Sequence, residues 1–112
     1  MKSSSGKAKG RRLQQWAMNL ILDRFTGLEP DDVTSRSMGS SGEDVLMSPK
    51  ARKKFPFSIE CKNTERLNLY RAYDQCRANA GDQHEPLLII KKNHSTPLAV
   101  VDAEWFIRNW RQ

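Results

Sequence analysis

From Phe57 to Lys62 the chain alternates Phe57, Ile59 and Cys61 with Ser58, Glu60 and Lys62. A period of two belongs to an extended strand and not to a helix. The apolar set faces a core, so Glu60 and Lys62 emerge together on the opposite side. This strand constrains every other segment, because any fold of the chain has to cover Ile59 and Cys61 while keeping a carboxylate and an ammonium side by side.

The flanking segments supply that cover. From Gly10, the residues Leu13, Trp16, Ala17, Leu20, Ile21 and Phe25 recur at helical spacing, and Gly27 stands where a left-handed cap would close the helix. Trp16 reads as core, as does Trp105. Residues 31–37 lead into a short strand, residues 39–42 form a tight turn of small residues, and residues 43–47 resume an extended pattern. Residues 48–54 carry one proline and four basic side chains, which predicts a loop or a single helical turn. Beyond the central strand, Thr64 can cap a helix reaching about Ala80, with Leu69, Ala72, Tyr73, Cys76 and Ala80 as its apolar stripe and Gly81 as its end. Residues 86–91 and 97–101 read as strands joined by a polar turn, and Asp102 caps a last helix through Trp105, Phe106 and Trp110. The order predicts a mixed α/β (α+β) fold, a single central mixed β-sheet flanked by helices. Residues 10–112 form this one domain, preceded by a flexible basic arm over residues 1–9.

At 112 residues the chain can bury one core, so a single fold carries whatever function exists. Nineteen Lys and Arg against thirteen Asp and Glu leave a formal charge of +6, which favours an anionic partner. Nucleic acid leads over acidic lipid, since the longest purely apolar stretch is the short run from Leu87 to Ile90 and no membrane segment is visible. The first ten residues lack the apolar core of a secretory signal, which suits a cytoplasmic protein. Cys61 and Cys76 have no CxxC spacing, and His84 and His94 lie far from them, which argues against a zinc site.

Asp44 follows the small-residue turn about a hairpin's length before Glu60, so the two carboxylates converge if their strands pair. Phosphodiester hydrolysis at neutral pH calls for oxygen ligands to a hard cation such as Mg²⁺, with Mn²⁺ expected to substitute, and two carboxylates suffice as anchors. Lys62 is placed to position an attacking hydroxide and to stabilise developing charge. The Cys61 thiol packs into the core, while its backbone carbonyl lies beside both functional side chains and is a further ligand candidate. Blander readings stand beside these. Glu60 and Lys62 alone would make an exposed ion pair, and Asp44 alone a turn residue. Glu43 reads as solvated surface. Gln75 shares a helical face with Asn68, Arg71 and Asn79 that looks either into a cleft or into water. Lys50, Arg52, Lys53 and Lys54 form either a solubilising loop or a set of phosphate contacts that would favour DNA shape over base sequence.

Gly42-Glu43-Asp44 followed by Ser58-Ile59-Glu60-Cys61-Lys62 resembles the paired motifs of the PD-(D/E)XK nuclease superfamily. With Arg36 to Ser40 before the Asp, Gly10-Arg11-Arg12 opening a first helix and a helix after the ExK strand, the chain is similar to archaeal-type Holliday junction resolvases and their small bacteriophage relatives, over roughly residues 10–101. The resemblance implies a restriction-endonuclease-like core in which Asp44, Glu60 and the Cys61 carbonyl hold metal, Lys62 serves the water and Ser40 is the loop serine near the scissile phosphate. Arg11, Arg12 and Arg36 would contact DNA, with Gln75 beside them. Where those resolvases carry a Glu on the first helix this chain has Gln14, an amide that brings no charge to a cation. The resemblance further implies a homodimer acting on four-way or other branched DNA, with two sites nicking opposed strands. Two rivals remain: a nickase, repair or restriction-like endonuclease on other DNA structures, and a non-catalytic DNA-binding module with the same fold.

Overall fold

Both faces of the strand that carries Glu60 are covered, not one. The computed structural model describes residues 2–36 and 42–111; Ser40, with Ser37, Met38, Gly39 and Ser41, lies outside them. The elements are α1 (Lys2–Arg24), β1 (Val33–Ser35), β2 (Val45–Met47), α2 (Pro49–Lys54), β3 (Phe57–Asn63), α3 (Leu69–Ala80), β4 (Glu85–Lys91), β5 (Leu98–Val100) and α4 (Ala103–Asn109), with a 3-10 turn at Pro30–Asp32. Ser58, Ile59, Glu60 and Cys61 are all buried. Strands β3 and β4 are parallel, and parallel neighbours need a crossover, here α3, which lies on the sheet and closes the face that alternation leaves polar.

The sheet is mixed, with order β3-β4-β5 and β5 antiparallel to β4. The expected single sheet is divided: β1 and β2 pair separately as an antiparallel hairpin. Among the described residues the two ladders meet at one backbone bond, from Asp44 N–H to the Ile59 carbonyl (2.9 Å). At the next position the Cys61 N–H donates to Asp44 Oδ2 (2.7 Å) instead of a strand carbonyl. A side chain thus takes the place of the ladder and ends it.

Two clusters hold the layers together. Leu13, Ala17 and Ile21 of α1 pack with Ile59, Cys61, Leu87 and Ile89 on one face of the sheet, and Val33, Val45 and Met47 of the hairpin join them. On the other face Ala72 and Cys76 of α3 meet Leu88. The alternation of β3 accounts for this division, since Ile59 and Cys61 serve the α1 side and Ser58 and Glu60 the α3 side.

Several local expectations shift. The first helix starts at Lys2, so residues 2–9 of the expected arm lie within it. Its end uses no left-handed glycine: Phe25 N–H bonds the Ile21 carbonyl, Leu28 N–H bonds the Phe25 carbonyl (both 3.0 Å), and Gly27 keeps a φ outside the positive range. Asn68, not Thr64, caps α3, its side chain accepting from Arg71 N–H (3.2 Å), because Thr64 is still held beside β4 through its N–H to the Lys91 carbonyl. Trp16 is 43% exposed and not core; it stands at the margin of the α1 stripe whose buried residues are Leu13, Ala17 and Ile21. Trp105 is half-buried, edge-on to Phe57. Gly81, at φ 67°, ends α3 as expected, and Asp102 caps α4 through Trp105 N–H (2.9 Å).

Residues 48–54 form a short capped helix. Ser48 accepts from Ala51 N–H (3.1 Å) and its own hydroxyl donates to Asp32 Oδ1 (2.6 Å), tying α2 to the 3-10 turn. That hydroxyl, followed by the Glu29 N–H, holds the Asp32 carboxyl below its ordinary range. A lowered folded-state pKa contributes stability that is present above the unfolded value of about 3.9 and is lost as pH falls through the folded one. Ser48→Ala is expected to cost about 1 kcal/mol through the lost cap. It is also expected to flatten the acid limb of the stability profile, both read by urea denaturation between pH 2 and pH 7, roughly the carboxylate titration range.

Candidate functional site

Glu60 is 4% exposed on the α3 side of β3. A carboxylate so buried needs partners, and α3 provides an amide: Asn79 Nδ2 lies 2.9 Å from Oε1 and 3.3 Å from Oε2. The same Asn79 amide reaches the Gly42 carbonyl (3.4 Å), so one side chain ties the helix to Glu60 and to the segment entering Asp44. Gly42 is at φ +102°, and a Cβ there would stand 3.1 Å from the Arg36 guanidinium. Glycine therefore serves both the turn and the close approach of Arg36, whose Nε donates to the Glu43 carbonyl (2.6 Å).

Asp44 comes to the same place from the hairpin. Its Oδ2 is fixed by the Cys61 N–H. In an extended strand the N–H and C=O of one residue point to the same side, so the Cys61 carbonyl lies along the edge that Asp44 occupies. Lys62, two residues after Glu60, shares the Glu60 face of the strand and acts electrostatically on both carboxylates. Asp44, Glu60, Lys62 and the Cys61 backbone are thus brought together.

Burial drives the electrostatics. Desolvation raises the Asp44 carboxyl above its ordinary value against the opposing pull of the Cys61 N–H, Lys62 and Arg36. Desolvation also raises Glu60, opposed by Asn79 and reinforced by the neighbouring charge of Asp44. Two desolvated, mutually repelling carboxylates beside a backbone carbonyl are a donor set that suits a hard divalent cation. Among the described residues no group of three or more His, Cys, Asp and Glu gathers as a metal cage. Mg²⁺ needs none, since it is commonly held by one or two carboxylates with water and substrate oxygens. The Cys61 thiol is buried in the α1 cluster and pushed upward by desolvation, as packing requires, and Cys76 is pushed up to about 12.

The other expected site residues divide. Gln14 is buried, on the stripe of α1 that carries Leu13 and Ala17 against the sheet. Ser40 lies outside the described residues. Arg11, Arg12, Lys50, Lys53, Lys54 and Gln75 are exposed. Arg52 is instead drawn inward: its guanidinium pairs with Glu43 (2.5 Å) and approaches the Phe57 carbonyl (3.4 Å). Glu43, expected as solvated surface, is largely buried and also accepts from Ser58 Oγ (2.8 Å). It turns inward because Arg52 and Ser58 offer it both charge and hydrogen bonds. Asn79 is the site residue that sequence reasoning passed over. Its place on one helical face with Gln75 was visible, but which end of that face meets Glu60 depends on the start of α3.

A raised carboxylate pKa contributes stability that is fully present below the unfolded value of about 4.3 and lost as pH rises through the folded one. In metal-free buffer at neutral pH, Glu60→Gln is therefore expected to stabilise the fold, read as a rise in Tm. The gain should shrink towards pH 4, around the ordinary carboxylate value; calorimetry across that range would count against the buried-charge account if Tm fell equally at every pH. No family model, curated protein or solved structure matches the chain.

Proposed function

We propose that the chain is a metal-dependent, structure-selective endodeoxyribonuclease that hydrolyses phosphodiester bonds in branched DNA, with four-way junctions as its foremost substrate. The observation that carries this reading is the hydrogen bond from the Cys61 N–H to Asp44 Oδ2, which fixes a second carboxylate beside the Glu60-Cys61-Lys62 strand. Asp44, Glu60 and the Cys61 carbonyl are the residues that would hold Mg²⁺ or Mn²⁺. A divalent cation supplies Lewis acidity toward the phosphate and lowers the pKa of its water.

The protein's own groups do the rest. Asn79 donates to the Glu60 carboxylate and holds its orientation. The Cys61 N–H does the same for Asp44. Lys62 places an ammonium on the Glu60 face of the strand, where it orients the attacking water and offsets negative charge as it accumulates on the phosphate oxygens. The exposed cations Arg11, Arg12, Lys50, Lys53 and Lys54 offer salt-sensitive phosphate contacts that fix position without reading bases. Arg52, bonded to Glu43, acts through the fold. Symmetrical cutting of a four-way junction needs two such sites, hence a homodimer.

The test is a cleavage panel of four-way junction, flap, nicked and plain duplex DNA at matched salt, with Mg²⁺ and with EDTA. Branched substrates should be cut fastest, EDTA should abolish cutting, and Asp44→Asn, Glu60→Gln and Lys62→Ala should each lower the rate by about 10²–10³-fold. Equal rates on plain duplex would overturn the structural selectivity. Binding without cleavage, unchanged by Asp44→Asn, would overturn the enzyme in favour of a DNA-binding module.

A further inference from the structure

Past the carboxylates, β3 ends in Asn63, whose side chain falls on the α1 face because it lies two residues beyond Cys61. There it borders a groove of about 360 Å³ between the N-terminal half of α1 and the carboxyl ends of β3 and β4. Ligands of open parallel sheets gather at such strand ends, and the volume lies within the range of about 300–1,000 Å³ usual for ligand pockets. Lys9, Arg12 and Lys91 line it together with Trp16, and no carboxylate does among the described residues.

Two features narrow what the groove can take. The Asn63 amide is oriented by its Nδ2, which donates to the Lys9 carbonyl (3.3 Å). Its Oδ1 is then turned away as an acceptor, buried and without a hydrogen-bond partner. A buried acceptor left unmatched costs on the order of 1–3 kcal/mol, and a phosphate has no proton to give it. A nucleobase does, through its ring N–H or amino group. The second feature is Trp16, which stays 43% exposed at the rim although its helix neighbours Leu13 and Ala17 are buried. An exposed indole beside cations is the arrangement on which unstacked bases settle. A base inside a duplex is already stacked on both faces and cannot offer one to the indole.

We propose that this groove seats an unpaired nucleotide of the DNA substrate, the base stacked on Trp16 and hydrogen-bonded to Asn63 Oδ1, the adjoining phosphates held by Lys9, Arg12 and Lys91. The proposal rests on the nuclease reading for its substrate. Asn63 and Glu60 stand three residues apart on opposite faces of β3, so the groove and the carboxylates engage different parts of the bound DNA.

Binding, measured in EDTA so that no cleavage intervenes, tests it. The probes are a short oligothymidylate, an abasic strand of equal length and a paired duplex, read by tryptophan fluorescence and by anisotropy of a labelled strand. Oligothymidylate should bind about tenfold more tightly than the abasic strand, as expected for stacking of one base, and should quench fluorescence. Trp16→Leu should abolish both the quenching and the preference. Asn63→Leu should reduce the preference several-fold, and Lys91→Gln should weaken oligothymidylate and abasic strand alike. Circular dichroism identifies any variant that fails to fold, and in that case the wild-type comparison of thymidylate with the abasic strand decides. Equal affinity for the two in the wild type, or a preference that survives in folded Trp16→Leu, overturns the subsite. Retention of the preference by a protein that cuts none of the branched substrates overturns the nuclease reading and leaves the subsite standing.

Discussion

Where β2 approaches β3, the Asp44 carboxylate takes over from the backbone ladder by accepting the Cys61 N–H. Continued pairing would have satisfied that N–H with a carbonyl and sealed the strand edge. With the carboxylate in its place, a negative charge is anchored at the edge, and the chain turns away through the positive φ of Gly42. The Ile59 carbonyl still receives the Asp44 N–H, so Asp44 is held at two points, by its backbone and by its carboxylate, on one short stretch of β3. The convergence of Asp44 with Glu60 and Lys62 follows from this one substitution of side chain for ladder.

The two buried glutamates near that junction are treated differently. Glu43 is met by the Arg52 guanidinium and the Ser58 hydroxyl, a charged pair with its remaining oxygen satisfied. Glu60 is met by the Asn79 amide, which orients a carboxylate without neutralising it. Burial penalises an ionised group unless opposite charge balances it. Glu43 and Arg52 therefore lock α2 against β3, whereas Glu60 and Asp44 are oriented by hydrogen bonds, with Lys62 acting electrostatically on both and Arg36 on Asp44. The fold tolerates this because each carboxylate is fixed by a hydrogen bond from a well-packed element.

The strand and its two chemical side chains were legible because alternation is a local property: Ile59 and Cys61 could be assigned to a core, and Glu60 and Lys62 to one side, without knowing what covered them. The covering itself was not legible. That α3 buries Ser58 and Glu60 depends on β3 and β4 being parallel, and the apolar run at Leu87 to Ile90 reads the same for either direction. Arg52 and Lys53 are adjacent and chemically alike, yet one locks Glu43 and the other faces solvent, because only Arg52 follows Ala51 onto the inner side of α2. The start of α3 is ambiguous in the sequence for a related reason. Thr64 and Asn68 are both good caps, and the choice between them is made by the Lys91 carbonyl, which keeps Thr64 paired beside the sheet.

Alternation also sends neighbouring side chains of one strand to two different surroundings. Lys62 and Asn63 are consecutive, so they leave β3 on opposite faces: Lys62 towards the carboxylates, Asn63 towards α1 and the groove beside Lys9 and Trp16. Their spacing is set by a backbone paired along its whole length with β4, from Phe57 opposite Glu85 to Asn63 opposite Lys91. A strand so held fixes the separation of the side chains it presents on its two faces.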